Sequence, residues 1–113
     1  MIENKGFKLY ITRGDDVLIN VNITQHLADG TEAPYEMQEG DTLILTVKHN
    51  SDYTNAEAVL QKVYTSNQVA IFHDDTKDLD YGLYLYDIVL KDANGHIYTL
   101  ILDTLELTKE GGL

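Results

Sequence analysis

Carboxylates and histidines are the side chains in this sequence with the clearest capacity for metal chemistry. The acidic segment 74–80 offers several oxygen ligands, but it lacks the order of aspartates, glycine and terminal glutamate found in an EF-hand calcium loop. His49 and His73, together with Asp74 or Asp52, are candidate ligands for zinc or iron. Their spacing matches no known ligand motif. We therefore interpret the acidic segment as a solvated loop and predict neither a metal nor another cofactor.

No motif in the sequence indicates catalysis. The chain has no cysteine, which excludes a thiolate nucleophile and a disulfide. Its only serines, Ser51 and Ser66, lie in turn-like segments, and neither is part of a Gly-x-Ser-x-Gly motif. The sequence also lacks a phosphate-binding glycine-rich loop and a dinucleotide fingerprint. We predict that the protein is not an enzyme and that its target is not a small-molecule ligand.

The net charge of the chain argues against two kinds of partner, nucleic acids and anionic membranes. Its 113 residues include 8 basic and 19 acidic ones, for a net charge of −11. Nucleic acids and anionic membranes bind clustered Lys and Arg, so we expect neither as a partner. The chain has no run of about 18 apolar residues, and residues 1–6 lack the apolar stretch of a signal peptide. We expect a single cytoplasmic domain with its core in residues 7–108 and a flexible tail over 109–113.

The tripeptide that integrins recognise, Arg13-Gly14-Asp15, lies between the first two apolar runs of the sequence. A match of three residues is a weak signal. Glycine and aspartate are also common in the turns that join strands. We therefore interpret the segment from Arg13 to Asp16 as the tip of a β-hairpin.

The elements that position these residues are predicted to be strands. Apolar and β-branched residues alternate with polar ones in short runs, and turn residues separate the runs about every ten positions. Between the strands lie a mostly polar loop over 25–40, a loop or helical turn over 49–57 and the acidic loop over 73–80. The predicted strands, about seven as in a β-sandwich, cover 7–12, 17–24, 42–48, 58–64, 68–72, 83–90 and 96–107.

The last predicted strand changes the face on which its apolar residues lie. Leu100 and Leu102 share one parity, whereas Leu105 and Leu107 share the other. A strict period of two cannot bury both sets on one face. Either a β-bulge near Asp103-Thr104 flips the facing, or the strand is covered on both faces for part of its length.

The segment 79–86 contains the pattern Asp-x-Gly-x-Tyr-x-Tyr, formed by Asp80, Gly82, Tyr84 and Tyr86. Immunoglobulin-like sandwiches carry a tyrosine near the start of their sixth strand, and its hydroxyl binds a backbone group a few residues upstream. Tyr86 would then stand where antibody domains have a cysteine. We predict an all-β, immunoglobulin-like antiparallel sandwich of about seven strands without a disulfide, in which Tyr84 and Tyr86 face inward.

Several strand-turn motifs, taken in their order and spacing, resemble the N-terminal domain of phage baseplate upper proteins. The resemblance covers most of residues 7–108. The motifs are Ile11–Asp15, Glu39–Leu43 followed by Leu45–Lys48, Tyr81–Ile88, Asn94–Leu100 and Leu105–Thr108. Members of the family that look most like this sequence often continue into further domains, whereas this chain stops at Leu113. The resemblance therefore carries over neither a receptor-binding role nor any catalytic residue.

The resemblance implies a structural phage protein of the tail, baseplate or head-tail region. Such a protein docks to other virion proteins, and self-association is a further expectation. It would reside in the bacterial cytoplasm before assembly and in the virion afterwards. Loop position suggests the candidate partner contacts, which are Arg13, Asp15, Asp16, Tyr35, Asp74 and Asp75.

A binding module for carbohydrate or for a host surface is the alternative interpretation. Sugar recognition uses exposed aromatic faces, and the chain has eight tyrosines but no tryptophan. Tyr10 and Tyr53 are the tyrosines expected to be exposed. Exposed tyrosines are also ordinary residues of β-sheets.

Overall fold

The structure, a computed structural model, describes residues 7–49 and 58–109. Within these ranges the chain forms a series of strands and a single short helix. The elements are β1 (Leu9–Thr12), β2 (Val17–Asn20), β3 (Thr24–His26), β4 (Glu32–Pro34), β5 (Thr42–His49), β6 (Leu60–Tyr64), β7 (Gln68–Ile71), α1 (His73–Thr76), β8 (Gly82–Lys91) and β9 (Ile97–Thr108).

Five strands form the larger sheet, in the order β1-β9-β8-β5-β6. Its neighbouring strands are antiparallel, except that β1 runs parallel to β9. The middle strand is β8, which pairs with β9 on one side and β5 on the other. The pairs β2-β7 and β3-β4 form two smaller antiparallel sheets.

One hydrophobic core joins the five-stranded sheet to the β2-β7 pair. In β8 alternate side chains point into it, as the period of two predicts. The buried residues of this strand are Tyr84, Tyr86, Ile88 and Leu90, each no more than 3% exposed. Val69 of β7 packs into the same core. The predicted inward face of β8 is therefore confirmed.

The last strand changes face through a β-bulge. Its register with β8 shifts between Ile88 and Val89. Their partners on β9 are Ile101 and Thr99, so Leu100 is the extra residue of the bulge. The pairing is regular at Asp103-Thr104, where the bulge was expected. The bulge lies within the first apolar set instead of between the two sets. Leu100 is therefore buried with Leu105 and Leu107, whereas Leu102 is 39% exposed on the other side of the sheet.

The segment 25–40, predicted as a polar loop, contains the short β3-β4 hairpin. The turn is closed by a hydrogen bond from Leu27 N to Thr31 O at 2.8 Å. The Asp29 carboxylate accepts further bonds from Thr31 N at 3.0 Å and from Thr31 Oγ1 at 2.6 Å. Strands of three residues are too short to show apolar alternation. The described chain therefore has nine strands rather than about seven.

The all-β prediction is confirmed by sheets of five, two and two strands, and the absence of cysteine excludes a disulfide. The finer immunoglobulin-like class stays a prediction. The predictions made for residues 50–57, including Ser51, Asp52 and Tyr53, lie outside the described residues, as does most of the predicted tail. A helix with the length and apolarity that a membrane crossing needs does not occur in 7–49 or 58–109.

Candidate functional site

The turn between β1 and β2 is bound to α1, and we call this region the β1-β2 corner. The prediction of a β-hairpin at Arg13–Asp16 is wrong, because β1 pairs with β9 and β2 pairs with β7, so the turn joins strands of two different sheets. Gly14 N donates to Thr76 Oγ1 at 2.8 Å. The Gly14 carbonyl oxygen accepts a bond from His73 Nδ1 at 2.7 Å. The Asp16 carboxylate accepts a bond from His73 N, also at 2.7 Å. Two segments that we predicted as separate loops therefore form one connected unit.

Arg13 is held inside the β1-β2 corner by contacts within its own chain. Its guanidinium donates to Leu79 O at 3.1 Å and to the Tyr81 hydroxyl at 2.8 Å. The same group lies 4.0 Å from the centroid of the Tyr81 ring, in cation–π contact. The Arg-Gly-Asp tripeptide therefore lies in a turn between two sheets, where Asp15 N donates to Thr12 O at 3.1 Å.

The two aspartates predicted as contacts in α1 have different surroundings. The Asp75 carboxylate accepts bonds from Lys62 Nζ at 2.8 Å and from Phe72 N at 2.7 Å. Burial would raise the pKa of Asp75, but these two bonds outweigh it and hold that pKa below its usual value. Asp74 has a side chain 82% exposed, with Lys77 Nζ at 3.3 Å. Asp75 is therefore a structural link to β6, and Asp74 remains accessible.

We expect the link through Asp75 to make stability depend on acid pH. Since the folded pKa lies below the unfolded one, the stabilisation is fully present above about pH 4 and is lost as the pH falls through the folded pKa. Asp75→Asn should lower the free energy of unfolding at pH 7 by roughly 0.5–1 kcal/mol. It should also flatten the loss of stability below about pH 4. Urea unfolding across this pH range, with Asp74→Asn as the control, measures both effects; equal acid slopes in the wild type and Asp75→Asn would contradict the assignment.

The corner tyrosine makes the hydrogen bond that its sequence pattern requires. Tyr84, near the start of β8, donates from its hydroxyl to Asp80 O at 2.7 Å. Gly82 is the first residue of the strand. Tyr86, the next inward residue, donates to Phe7 O. These bonds fix both the entry into β8 and the chain just before β1.

Tyr35 lies in a different environment from the other predicted contacts. It is partly buried against the core. Its hydroxyl donates to the buried carboxylate of Asp41 at 2.5 Å, and this bond, with desolvation, raises the pKa of Tyr35 to about 12. The hydroxyl therefore stabilises the chain before β5 and is not free for a partner.

The side of the five-stranded sheet that points away from the core, which we call the outer face, is rich in apolar residues. The register aligns Ile44 with Val63 and Val89, and Asp87 with Leu102. Val63 is 61% exposed, and Leu102 is 39% exposed. The described apolar residues of this face include Ile44, Val63, Leu83, Leu85, Val89 and Leu102, and its polar residues include Thr46, Lys48, Gln61, Asp87, Thr104 and Glu106.

A shallow depression with a volume of about 520 Å³ lies on the outer face between β5, β6 and β8. Thr46 and Asp87, which are cross-strand partners, line it together. Burial raises the pKa of the Asp87 carboxyl, and Lys48 acts against this shift. The outer face therefore combines apolar side chains with a half-buried carboxylate, which is chemistry suited to contact with another macromolecule.

Sequence reasoning missed the outer face as a candidate site. The available signal was the composition of β8, where Leu83, Leu85 and Val89 alternate with the inward residues. A strand that is apolar on both sides is typical of a sheet covered on both faces. Loop position points instead to the turn at Arg13–Asp16 and to the acidic segment, whereas the outer face lies on the strands.

Of the residues considered for a metal site, the described ones, His49, His73 and Asp74, are not brought together into one. His49 stacks near Tyr84, with ring centroids 5.5 Å apart, while His73 is bound to Gly14. Within 7–49 and 58–109, no group of three or more His, Cys, Asp or Glu side chains is placed to hold a metal ion. Asp52 lies outside these ranges. In comparisons with known proteins, the sequence matches no protein-family model and no curated protein.

Proposed function

We propose that this chain is a non-enzymatic structural protein of a phage virion, in the tail, baseplate or head-tail region, that acts by docking to other virion proteins. The resemblance of its strand-turn motifs to baseplate upper proteins supports the class of protein. The single observation that carries the docking role is the exposed apolar outer face. In this proposal the chain is present in the bacterial cytoplasm before assembly and in the virion afterwards.

The physical case for docking rests on the cost of exposing this face to water. Val63, Leu83 and Leu102 all project from it and are between 39% and 61% exposed. Removing apolar surface from water is worth roughly 25 cal/mol per Å². Contiguous apolar patches of more than a few hundred Å² are uncommon on monomeric proteins and mark interaction sites. A partner that covers these side chains would therefore gain binding energy.

The position of the patch on paired strands supports the same role. β8 is hydrogen-bonded on both sides, so its side chains are held in a fixed arrangement. A rigid sheet loses little conformational entropy when it binds, which favours the formation of a defined interface. Because the chain has a net charge of −11, we also expect the partner to carry basic residues around the contact.

Quantitative mass spectrometry of phage particles purified from the source strain tests the proposal. We expect the chain at a fixed ratio to a tail protein. Its absence from clean particles that contain the other structural proteins would overturn the virion role. Incorporation of the Leu83→Asp variant into particles then tests the outer face. The matched control is Leu18→Asp, which changes another exposed leucine on β2. Loss of incorporation should occur only for Leu83→Asp.

Carbohydrate binding is the second candidate, favoured by Tyr10, which is 70% exposed on the edge strand β1. An exposed tyrosine ring can stack on a sugar face. Glycan-array binding by the isolated chain, lost in Tyr10→Ala, would support this role. If the chain is found in virions and Tyr10→Ala gives the same glycan-array signals as the wild type, the docking role is supported instead.

A further inference from the structure

Asp87 occupies the centre of the outer face. The five-stranded sheet has β8 as its middle strand, and Asp87 lies near the middle of that strand. Its cross-strand neighbours are Thr46 on β5 and Leu102 on β9. A partner that covers the apolar side chains of the outer face must therefore also cover this carboxylate.

Few contacts within the protein would replace the hydrogen bonds with water that the Asp87 carboxylate loses when a partner covers it. Leu85 and Val89 flank it along the strand, and Leu102 lies beside it. Within the described residues it makes no hydrogen bond, and Lys48 is the cation whose charge acts on it. The hydroxyl of Thr46, its other neighbour, is already bonded by Gln61 Nε2 at 3.0 Å. Covering Asp87 with a purely apolar surface would leave a buried charge without a direct partner, which is costly.

We propose that the occupant of the outer face is a different protein, whose apolar docking surface presents a Lys or Arg side chain to Asp87. This inference rests on the proposed docking function and specifies its partner. A cation directed at Asp87 would restore the interactions that the carboxylate loses with water. Arg suits the position best, since its planar guanidinium pairs with a carboxylate through two hydrogen bonds.

The same position argues against a second copy of this chain as the occupant. In a two-fold symmetric contact, a residue at the centre of the patch meets its own copy. Asp87 would then face Asp87, and two carboxylates in one desolvated site repel each other. Each copy also carries a net charge of −11. We therefore place the self-association predicted from the family resemblance elsewhere than on this face.

Binding of a hydrophobic cation to the isolated chain tests the inference without knowledge of the partner. The probe is tetraphenylphosphonium, followed by amide chemical shifts in NMR. We expect the shifts to map to β5, β8 and β9, and the dissociation constant to rise about fivefold in Asp87→Asn. Asp74→Asn removes the same charge from an exposed site and should leave binding unchanged. Equal binding by both variants, or shifts located away from the outer face, would overturn the inference.

Two further measurements separate this inference from the proposed function. Analytical ultracentrifugation should show no self-association through this face; a dimer that Leu83→Asp dissociates would overturn the inference while leaving a docking role intact. If particles contain the chain, Asp87→Lys should reduce its incorporation more than Asp87→Glu does. If particles lack the chain but tetraphenylphosphonium binding depends on Asp87, the virion role fails and the charge preference of the outer face stands.

Discussion

Replacing Gly40 with alanine is expected to lower the free energy of unfolding by about 2–5 kcal/mol. Gly40 has φ +89°, a left-handed conformation that costs an L-residue with a side chain roughly 1–2 kcal/mol. A Cβ at this position would lie only 2.7 Å from the Cβ of Ala93. That atom is attached directly to the backbone of the β8-β9 turn, so it cannot rotate away. The turn or the chain before β5 must move, and such overpacking typically costs a further 1–3 kcal/mol.

Gly30→Ala is the matched control for this prediction. Gly30 has φ +88°, but a Cβ added there would have nothing within 4 Å, so the substitution isolates the backbone cost. Urea unfolding should show a larger loss for Gly40→Ala than for Gly30→Ala. Adding Ala93→Gly to Gly40→Ala removes the clashing methyl group and should recover the difference. Equal losses at the two glycines would show that Gly40 and Ala93 are not in contact.

The inward half of the sheet was predictable because one physical rule governs it. The corner pattern assigned Tyr84 to the core, and Tyr86 had to share its face, since side chains alternate along a strand. The turn after β8 was equally clear from Asn94-Gly95. The structure closes that turn with bonds from Asn94 N and His96 N to the Asp92 carboxylate, each 2.9 Å long. Both features depend on residues close in sequence.

Features that depend on distant residues were not predictable from local patterns. Arg13 binds Tyr81, 68 positions away, so the sequence around Arg13 gave no sign of its partner. The position of the bulge at Leu100 depends on how β9 fits against β8. The β1-β2 turn and the acidic segment each have the composition of a loop, but nothing in either segment indicated their contact through Gly14 and His73.

The outer face could not be predicted from local sequence patterns for the same reason. A strand with Leu83 and Leu85 alternating with inward tyrosines has two apolar sides, and alternation alone cannot decide which is covered. The register of five strands decides it, because it places Asp87 beside Leu102 on the side away from the core. An interaction surface built from several strands becomes visible only when the strands are aligned.

Tyr86→Ala is expected to lower the free energy of unfolding by about 3–5 kcal/mol. This loss is larger than the one expected for Tyr86→Phe, the second substitution at this core position of β8. Tyr86 is 1% exposed and is among the largest fully buried side chains. Alanine would leave a cavity in the core and also remove the bond to Phe7 O. Tyr86→Phe keeps the ring and removes only the hydroxyl, so it should cost about 1 kcal/mol. Tyr10→Ala, at a 70% exposed position of the same sheet, should change stability by less than about 0.5 kcal/mol.

The pH dependence distinguishes the hydroxyl of Tyr86 from its ring. Burial, with a smaller contribution from Asp103, raises the pKa of Tyr86 above its usual value. Because the folded pKa exceeds the unfolded one, the stabilisation is fully present below about pH 10 and is lost progressively as the pH rises above it. Urea unfolding between neutral and alkaline pH should therefore show a shallower decline for Tyr86→Phe than for the wild type. Parallel declines would mean that the phenol ionises as easily in the folded chain as in the unfolded one. The bond from Tyr86 to Phe7 O would then not anchor the chain before β1 to the core.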